Sequence, residues 1–444
     1  LKVDNEGNEQ WVETIGSDSE EYYGGYPGST KILNNQEYLF CGSKGCFFDD
    51  LFYHKGLLIK FDTNWGVTWI KDYGDNSIAA DTSITFFQFD ICPDNSFIVT
   101  GYEYYFGAYS KPILTKIDSQ GIVQWTKRFG SNVVHEGRSV STTSDSGFVI
   151  GTYRYTPGQP YTADPIIYKT DSLGNIEWTK NLGGPYMDYY PSVQMAPDGS
   201  IIVATCYADS MAAPDIAYRR INLINLDNNG NILWNRKYGK STAYNFLSNI
   251  EISNDSNFIF IGNVYTVEYP EMSGWIFKTK TNGDSIWYRT YEHINGKDSE
   301  NILYDIKPTI DNGFISCGYM YPFPPDTGRQ DIWLLKLDSV GCDTPGCDPT
   351  VGIKNYHIEA VDPVNIQIYP NPASQNITFQ SSIFNLQFSI HIYDLFGRKI
   401  DEIEIPEGQE EVEINVSSYP QGIYIAVLRD AREIIGRKKF LVAR

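Results

Sequence analysis

The sequence has little positive charge, few histidines and cysteines, and almost no helical periodicity. Its 35 lysines and arginines face 55 aspartates and glutamates, a net charge of −20, so nucleic acid and anionic membrane are repelled. The one compact basic run, GRKKF from Gly436 to Phe440, lies on what reads as the final strand. No run of about 18 apolar residues occurs, so no helix of the chain can span a membrane. No signal peptide is visible, but the chain opens inside a repeat, and upstream sequence is expected to have been removed. Five histidines, His54, His135, His293, His357 and His391, have no metal-ligand spacing, so zinc is not expected. A phosphate-binding Gly-Lys-Ser/Thr loop, a Gly-x-Ser-x-Gly elbow and a spaced Cys-His pair are all missing, which removes the commonest nucleotide and nucleophile chemistries.

Seven cysteines are an odd number for a disulfide framework. Cys342 and Cys347 flank a Gly-containing stretch where a small ring can close, and we expect them to form a disulfide. Cys41 and Cys46 have the same spacing, and there the sequence leaves both states open. Cys92, Cys206 and Cys317 sit in apolar strand-like runs and read as small buried hydrophobes.

What the chain does have is a repeat. Hydrophobic residues make up 41% and aromatics 15% of 444 residues, enough for two or three domains with substantial cores. The stretch KTDSLGNIEWTKNLGG at Lys169 recurs as KVDNEGNEQWVETIG at Lys2, KFDTNWGVTWIKDYG at Lys60, KIDSQGIVQWTKRFG at Lys116, NLDNNGNILWNRKYG at Asn225 and KTKTNGDSIWYRTYE at Lys278. A seventh copy, KLDSVGCDTPGC at Lys336, lacks the tryptophan. The markers Trp11, Trp69, Trp125, Trp178, Trp234 and Trp287 are 58, 56, 53, 56 and 53 residues apart. Each unit also holds an Asp/Asn/Ser/Gly turn followed by an apolar run, such as PDNSFIVTG at Pro93 or IDNGFISCG at Ile310, the signature of a hairpin.

Four short antiparallel strands per unit, repeated at this period, read as blades of a β-propeller over residues 1–347. Six hairpin signals imply six blades. The tryptophans are expected to pack between adjacent blades, and the repeated aspartate to form turns rather than to act as an acid. The N-terminal GNEQWVETIG is expected to supply the outer strand that the last repeat lacks, although LKVD ahead of it resembles the end of a third strand and points to a seventh blade upstream. The motif resembles the tryptophan-docking repeat of quinoprotein-like propellers, and more closely that of secreted Bacteroidetes propellers. That resemblance implies architecture and no particular activity; the adjacent-cysteine pair of many quinoprotein dehydrogenases is missing, and no cofactor is expected.

In such blades both tight turns fall on one face, so the long connections share the other. These carry many of the 33 tyrosines, and Tyr104, Tyr105, Tyr155, Tyr161, Tyr269 and Tyr321 are the candidate ligand face. Tyrosines beside acids on a rigid scaffold suit an extracellular glycan or protein ligand; the structural reading is that a secreted β protein is simply composed this way. Asp164, Asp215 and Glu268 are the acids available to calcium or to a carboxylate pair, and nothing in their spacing singles them out.

After a linker at 348–365 the composition changes to seven short alternating strands in 366–444, a small Ig-like β-sandwich. This segment resembles the type A C-terminal sorting domain of the Bacteroidetes type IX secretion system. The matching residues are YPNPA (Tyr369, Pro370, Asn371, Pro372, Ala373), IYDLFGR (with Asp394, Gly397 and Arg398), YPQGIYIAVL (with Gly422 and Tyr424) and KKFLVAR (with Lys439). The resemblance implies export to the cell surface or beyond, recognition by an outer-membrane shuttle, and cleavage near the linker by a sortase-like protease. An oxidising destination suits a Cys342 to Cys347 disulfide. The leading expectation is a non-enzymatic surface or secreted binding protein. Its rivals are an extracellular enzyme acting on polysaccharide through funnel carboxylates, and a passive surface scaffold.

Overall fold

A computed structural model of the chain describes residues 2–3, 9–12, 21–25, 27–48, 51–74, 82–105, 109–130, 133–156, 162–213, 216–239, 242–266, 272–293, 299–321, 330–343, 366–381, 388–394, 398–405, 411–429 and 434–443. It divides into two all-β units, Leu1–Tyr356 and His357–Arg444.

The first unit is a β-propeller of repeated antiparallel sheets. Blade two is representative: Thr82–Ile91, Phe97–Tyr105, Tyr109–Ile117 and Val123–Arg128 pair in sequence order. Blades three (His135–Thr142 through Ile176–Asn181), four (Tyr189–Met195 through Ile232–Tyr238) and five (Ala243–Ile252 through Ser285–Tyr291) repeat it. Blade one begins with two short strands, Glu21–Gly24 and Thr30–Ile32, on one partner, and blade six has three described strands from Glu300–Pro308 to Asp331–Leu337.

The repeated Lys-x-Asp-x-x-Gly stretch is a turn held by its own side chains. Asp171 Oδ1 accepts the N–H groups of Leu173 at 2.9 Å and Asn175 at 2.8 Å, and Gly174 takes φ +75°, a conformation costly for residues with a Cβ. Asp62, Asp118, Asp227 and Asp338 repeat the arrangement. The lysine ties the two tight turns of its blade together: fully buried Lys169 donates to Asp145 at 2.8 Å and Glu177 at 2.8 Å. Lys60 with Glu37, Lys116 with Asp94, Lys278 with Asp255 and Lys336 with Asp311 form the same tie.

Adjacent blades are clasped by the tryptophan. Its indole lies over the turn glycine of the next blade; a Cβ built on Gly174 would come within 2.9 Å of the Trp125 ring. Trp69 on Gly121, Trp178 on Gly230, Trp234 on Gly283 and Trp287 on Gly341 repeat the contact. Residues just beyond the tryptophan reach the same turn, as Lys180 does to the Gly230 carbonyl at 2.7 Å and Tyr291 to the Gly341 carbonyl at 2.8 Å.

At the centre, the first strand of every blade from two to six carries a bulge, at 86/88, 137/139, 189/192, 247/249 and 303/305. A bulge re-aims the side chain beside it, and here the re-aimed groups bond from blade to blade. Gln88 links the Pro27 carbonyl to the Val140 N–H, and Ser139 links the Pro191 carbonyl to the Val193 N–H. Ser192 reaches Asn249, Asn249 donates to Asp305 at 2.7 Å, and Asp305 accepts the Gly28 N–H at 3.1 Å. The hydrogen bonds therefore run from the Pro27–Gly28 turn of blade one through the first strands of blades two to six and back to that turn.

Away from the centre, the junction between blades six and one is different. Two residues before the motif lysine, Leu58, Leu114, Ile167, Leu223 and Ile276 are each 0% exposed, whereas Leu334 of blade six is 39% exposed. The turn glycine of blade one is replaced by Trp65, at φ +67°. Its ring stacks 4.0 Å from that of Tyr38, at the strand position where Phe148 and Phe314 meet the tryptophan of the preceding blade. Blade one thus covers its own flank.

Two expectations are corrected here, the closing outer strand and the burial of Cys317, and the state left open for Cys41 and Cys46 is decided. The strand Glu9–Trp11 pairs with Lys2–Val3 and not with Asp331–Leu337; its Lys2 to Trp11 register is that of a blade's outer hairpin, so its local partner is already present. Cys41 and Cys46 are not in a loop but on one extended strand, Tyr38–Phe48, and both are free thiols; at about 3.3 Å per residue they are too far apart to bridge. Cys92 and Cys206 are buried free thiols, and Cys317 is free but exposed rather than buried. Cys342 is disulfide-bonded, and Cys347 lies outside the described residues.

The second unit packs a three-stranded sheet (Ile366–Tyr369, Asn376–Ser381, Glu411–Asn415) and a four-stranded sheet (Phe388–Asp394, Lys399–Ile405, Gly422–Arg429, Ile434–Val442). Their shared core includes Ile377, Phe379, Ile390, Ile392, Tyr424 and Phe440.

Candidate functional site: the aromatic mouth of the central channel

The strand ends that feed the long connections of blades three to five bring their aromatic rings together. Tyr155 meets Tyr153 at 4.9 Å, Tyr153 stacks on Tyr189 at 5.8 Å, and Tyr189 meets Phe246 at 6.3 Å. Phe246 stacks on Tyr265 at 6.1 Å, Tyr265 on Tyr244 at 4.4 Å, and Tyr244 contacts Tyr218 at 5.0 Å. Seven rings thus form one belt across three blades. Arg219 is set into it, its guanidinium carbon 4.0 Å from the Tyr189 ring centre and 5.7 Å from that of Phe246.

Beside the belt, the inner strands enclose a cavity of about 290 Å³. Tyr189, Phe246, Ile302, Tyr304 and Met272 give it apolar walls, and Arg138 supplies a charge. Arg138 is paired with Glu136 at 2.5 Å and stacked 4.6 Å above Phe87. No carboxylate lines the cavity among the described residues, and no group of three metal-ligating side chains is found among them.

Of the tyrosines singled out in the sequence, Tyr155 joins the belt. Tyr105 stacks on Tyr109 at 4.7 Å and bonds Glu103 at 2.6 Å, beside Tyr104 in blade two. Tyr321 is on blade six opposite Glu300. Tyr161 and Tyr269 lie outside the described residues, as do Asp215 and Glu268. The belt's other members sit on strands rather than loop tips; the aromatic doublets and alternations in YRY (153–155), YYPS (189–192) and AYNF (243–246) are the signal that could have located them.

Asp164 is held by Arg154 at 3.6 Å and Asn181 at 3.3 Å. Nearby Asp188 is fully buried and accepts the Ala208 N–H at 2.6 Å and the Gly184 N–H. Burial, and to a smaller extent the charge of Asp164, push its carboxyl up to about 7 against those hydrogen bonds. The native state therefore keeps a proton that the unfolded chain releases near pH ~4, and Asp188 costs stability as pH rises from ~4 to ~7. The tight-turn acids act in the opposite sense. Burial alone would raise Asp94 and Asp145, but hydrogen bonds from Lys116, Lys169 and neighbouring hydroxyls hold both down to about 2. Their contribution is complete above pH ~4 and is lost as pH falls toward ~2. We expect Asp188→Asn to remove its own loss of denaturant-measured stability between pH ~4 and ~7, an amount on the order of 2 to 4 kcal/mol; buried His135, held down to about 3, acts in the opposite sense, costing stability as pH falls below ~6.5.

In the second unit the sorting-motif residues meet at one end of the sandwich. Asn371 Oδ1 accepts the Leu441 N–H at 2.9 Å, and Ala373 exchanges backbone bonds with Leu441 and Ala443. Arg398 bonds Asp394 at 3.1 Å, Tyr369 bonds Glu411 at 2.9 Å and Tyr424 bonds the Pro420 carbonyl at 2.7 Å. Both Pro370 and Pro372 follow cis peptide bonds. Lys439 is exposed, and a Cβ on Gly422 would meet nothing within 4 Å. Gly397 lies outside the described residues.

No characterised protein sequence matches this chain significantly. Among solved structures, similar ones include a protein of unknown function from Dyadobacter fermentans (9% identity, 71% of this chain and 98% of that one, TM-score 0.46) and a polysaccharide lyase of family PL25, an ulvan lyase (8%, 70% and 78%, 0.45). An α-L-arabinanase from Penicillium chrysogenum with bound arabinobiose is a third (9%, 71% and 98%, 0.42). Residues 367–443 match the secretion system C-terminal sorting domain family. The chain thus ends in a sorting domain, which marks it for export by type IX secretion to the cell surface or the extracellular space.

Proposed function

We propose that the protein is a secreted or surface-held binding protein that captures an extracellular saccharide at the aromatic mouth of its propeller. The observation that carries this reading is the belt of seven rings, five of them partly exposed and Tyr153 and Tyr244 buried behind them, beside an apolar-walled cavity: aromatic rings give contact area at low entropic cost, and a preformed concavity on a rigid ring is where ligands seat. The rival hydrolase requires carboxylates in the funnel, and none lines the cavity among the described residues. The sorting domain would deliver the propeller through an outer-membrane shuttle, with release or attachment by a sortase-like protease cutting near 348–365.

The test is a glycan array and a parallel hydrolysis assay on the full chain. Saccharide binding without turnover is expected, weakened at least about tenfold, or 1.4 kcal/mol, by Tyr189→Ala or Phe246→Ala. Turnover would overturn the binding reading. No saccharide captured from a broad array would overturn it as well.

A further inference from the structure

The central cavity is ringed by the whole propeller. Pro27 of blade one, Gln88 of blade two, Ser139 of three, Ser192 of four, Asn249 of five and Ile302 of six all line it. A ligand therefore reaches it along the axis of the ring, past Tyr189 and Phe246, which belong both to the belt and to the cavity wall. At about 290 Å³ the cavity is at the lower end of ligand-pocket sizes. It has room for one end of a saccharide, and its walls oppose the two exits that the interior of a chain needs.

The polar groups of that lining are already engaged. Gln88 donates to the Pro27 carbonyl at 2.9 Å and accepts from the Val140 N–H at 2.8 Å. Ser139 donates to the Pro191 carbonyl at 2.8 Å and accepts from the Val193 N–H at 3.1 Å. Asn249 donates to Asp305 at 2.7 Å and accepts from Ser192 at 3.3 Å. Ser248 donates to the Leu303 carbonyl at 2.8 Å, Asn263 accepts the Leu303 N–H at 2.8 Å, and Arg138 is held by Glu136. The bonds that close the ring thus use the first bonding capacity of the cavity. What they leave includes the second N–H of the Gln88 and Asn249 amides, donors set among the apolar side chains of Leu247, Met272 and Ile302.

Sugar hydroxyls are poorly served in such a place. Each brings a donor as well as acceptors, and a hydroxyl buried without a partner weakens binding. A group made of apolar carbon and an acceptor, with no donor, suits the cavity better. We propose that the ligand is a saccharide whose terminal ring carries an acyl ester, and that the acyl group is the part that enters the cavity. Its methyl carbon would lie against Leu247 and Ile302, and its carbonyl would accept from the Gln88 or Asn249 amide. The sugar ring behind it would rest on Tyr189 and Phe246. The proposal rests on the saccharide-binding reading above.

The test uses the full chain and cello-, xylo- and manno-oligosaccharides in three forms: unsubstituted, O-acetylated on the terminal non-reducing ring, and O-acetylated on an interior ring. Calorimetry is expected to show at least one terminally acetylated form binding about tenfold or more tighter than both of its counterparts. Ile302→Asn should abolish that preference while leaving affinity for the unsubstituted form within about twofold. The wild-type comparison stands even if that variant does not fold. Equal or weaker affinity for the terminally acetylated forms overturns the inference and leaves saccharide binding intact, and so does an equal preference for interior acetyl groups. Binding of none of the three forms overturns the inference, and with a silent array it overturns the saccharide reading too.

Discussion

Deleting residues 367–443 is expected to abolish delivery of the protein to the medium and the cell surface. The signal in medium and in protease-accessible surface fractions should fall to background while the truncated chain accumulates inside the envelope. The sandwich has its own core, and the expected cause is loss of the surface that the export machinery recognises. Gly422→Ala sharpens the test, since nothing in the fold opposes a methyl group there. It should leave thermal stability within ~0.5 kcal/mol. If it nonetheless lowers export, the machinery reads that strand end directly. Surface delivery of the truncated protein at the full level would refute the sorting assignment.

Asp305→Ala is expected to be the most damaging single change at the propeller's centre. One carboxylate there accepts from Asn249 of blade five, Ile306 of its own strand and Gly28 of blade one. Removing it leaves three donors unsatisfied, at about 1 to 3 kcal/mol for each that water does not reach, so a loss of about 3 to 5 kcal/mol is expected in denaturant unfolding. Ser192→Ala, which removes one bond to Asn249, should cost about 1 kcal/mol. Equal effects of the two would mean that the ring is not bolted at Asp305. Blades one and six share no described outer clasp, so hydrogen exchange in Asp305→Ala should accelerate first in their strands.

The repeat was readable because its determinants are local. An aspartate that accepts two N–H groups within four residues, and a glycine at positive φ, leave a fixed spacing in the chain, and the tryptophan that lies on the next such glycine inherits that period. The central closure was not readable, because Gln88, Ser139, Asn249 and Asp305 share no chemistry in sequence; only the bulges give them a common position. Trp65 takes the place of the repeat's glycine, and its meaning depends on Tyr38, which lies 27 positions earlier in the numbering. Tyrosines are dense in the long connections, while the described belt of rings lies on strand ends, where alternation decides which rings face one another. In the second unit the motifs at Tyr369 and Leu441 are far apart in sequence and adjacent in space, and their co-occurrence at the chain's end was legible only as a resemblance.

The buried thiols set how the protein ages. Burial pushes Cys92 up to about 11 and Cys206 up to about 12, and raises Cys41 further. Almost no thiolate exists at any of the three while the ring is intact, so extracellular oxidants find little to attack. Once a blade comes undone, the same sulfurs become ordinary thiols in an oxidising medium and can be captured in mismatched bridges. A molecule that opens outside the cell is then withdrawn from the folding equilibrium, and its working lifetime is set by the rate of its first opening rather than by its stability.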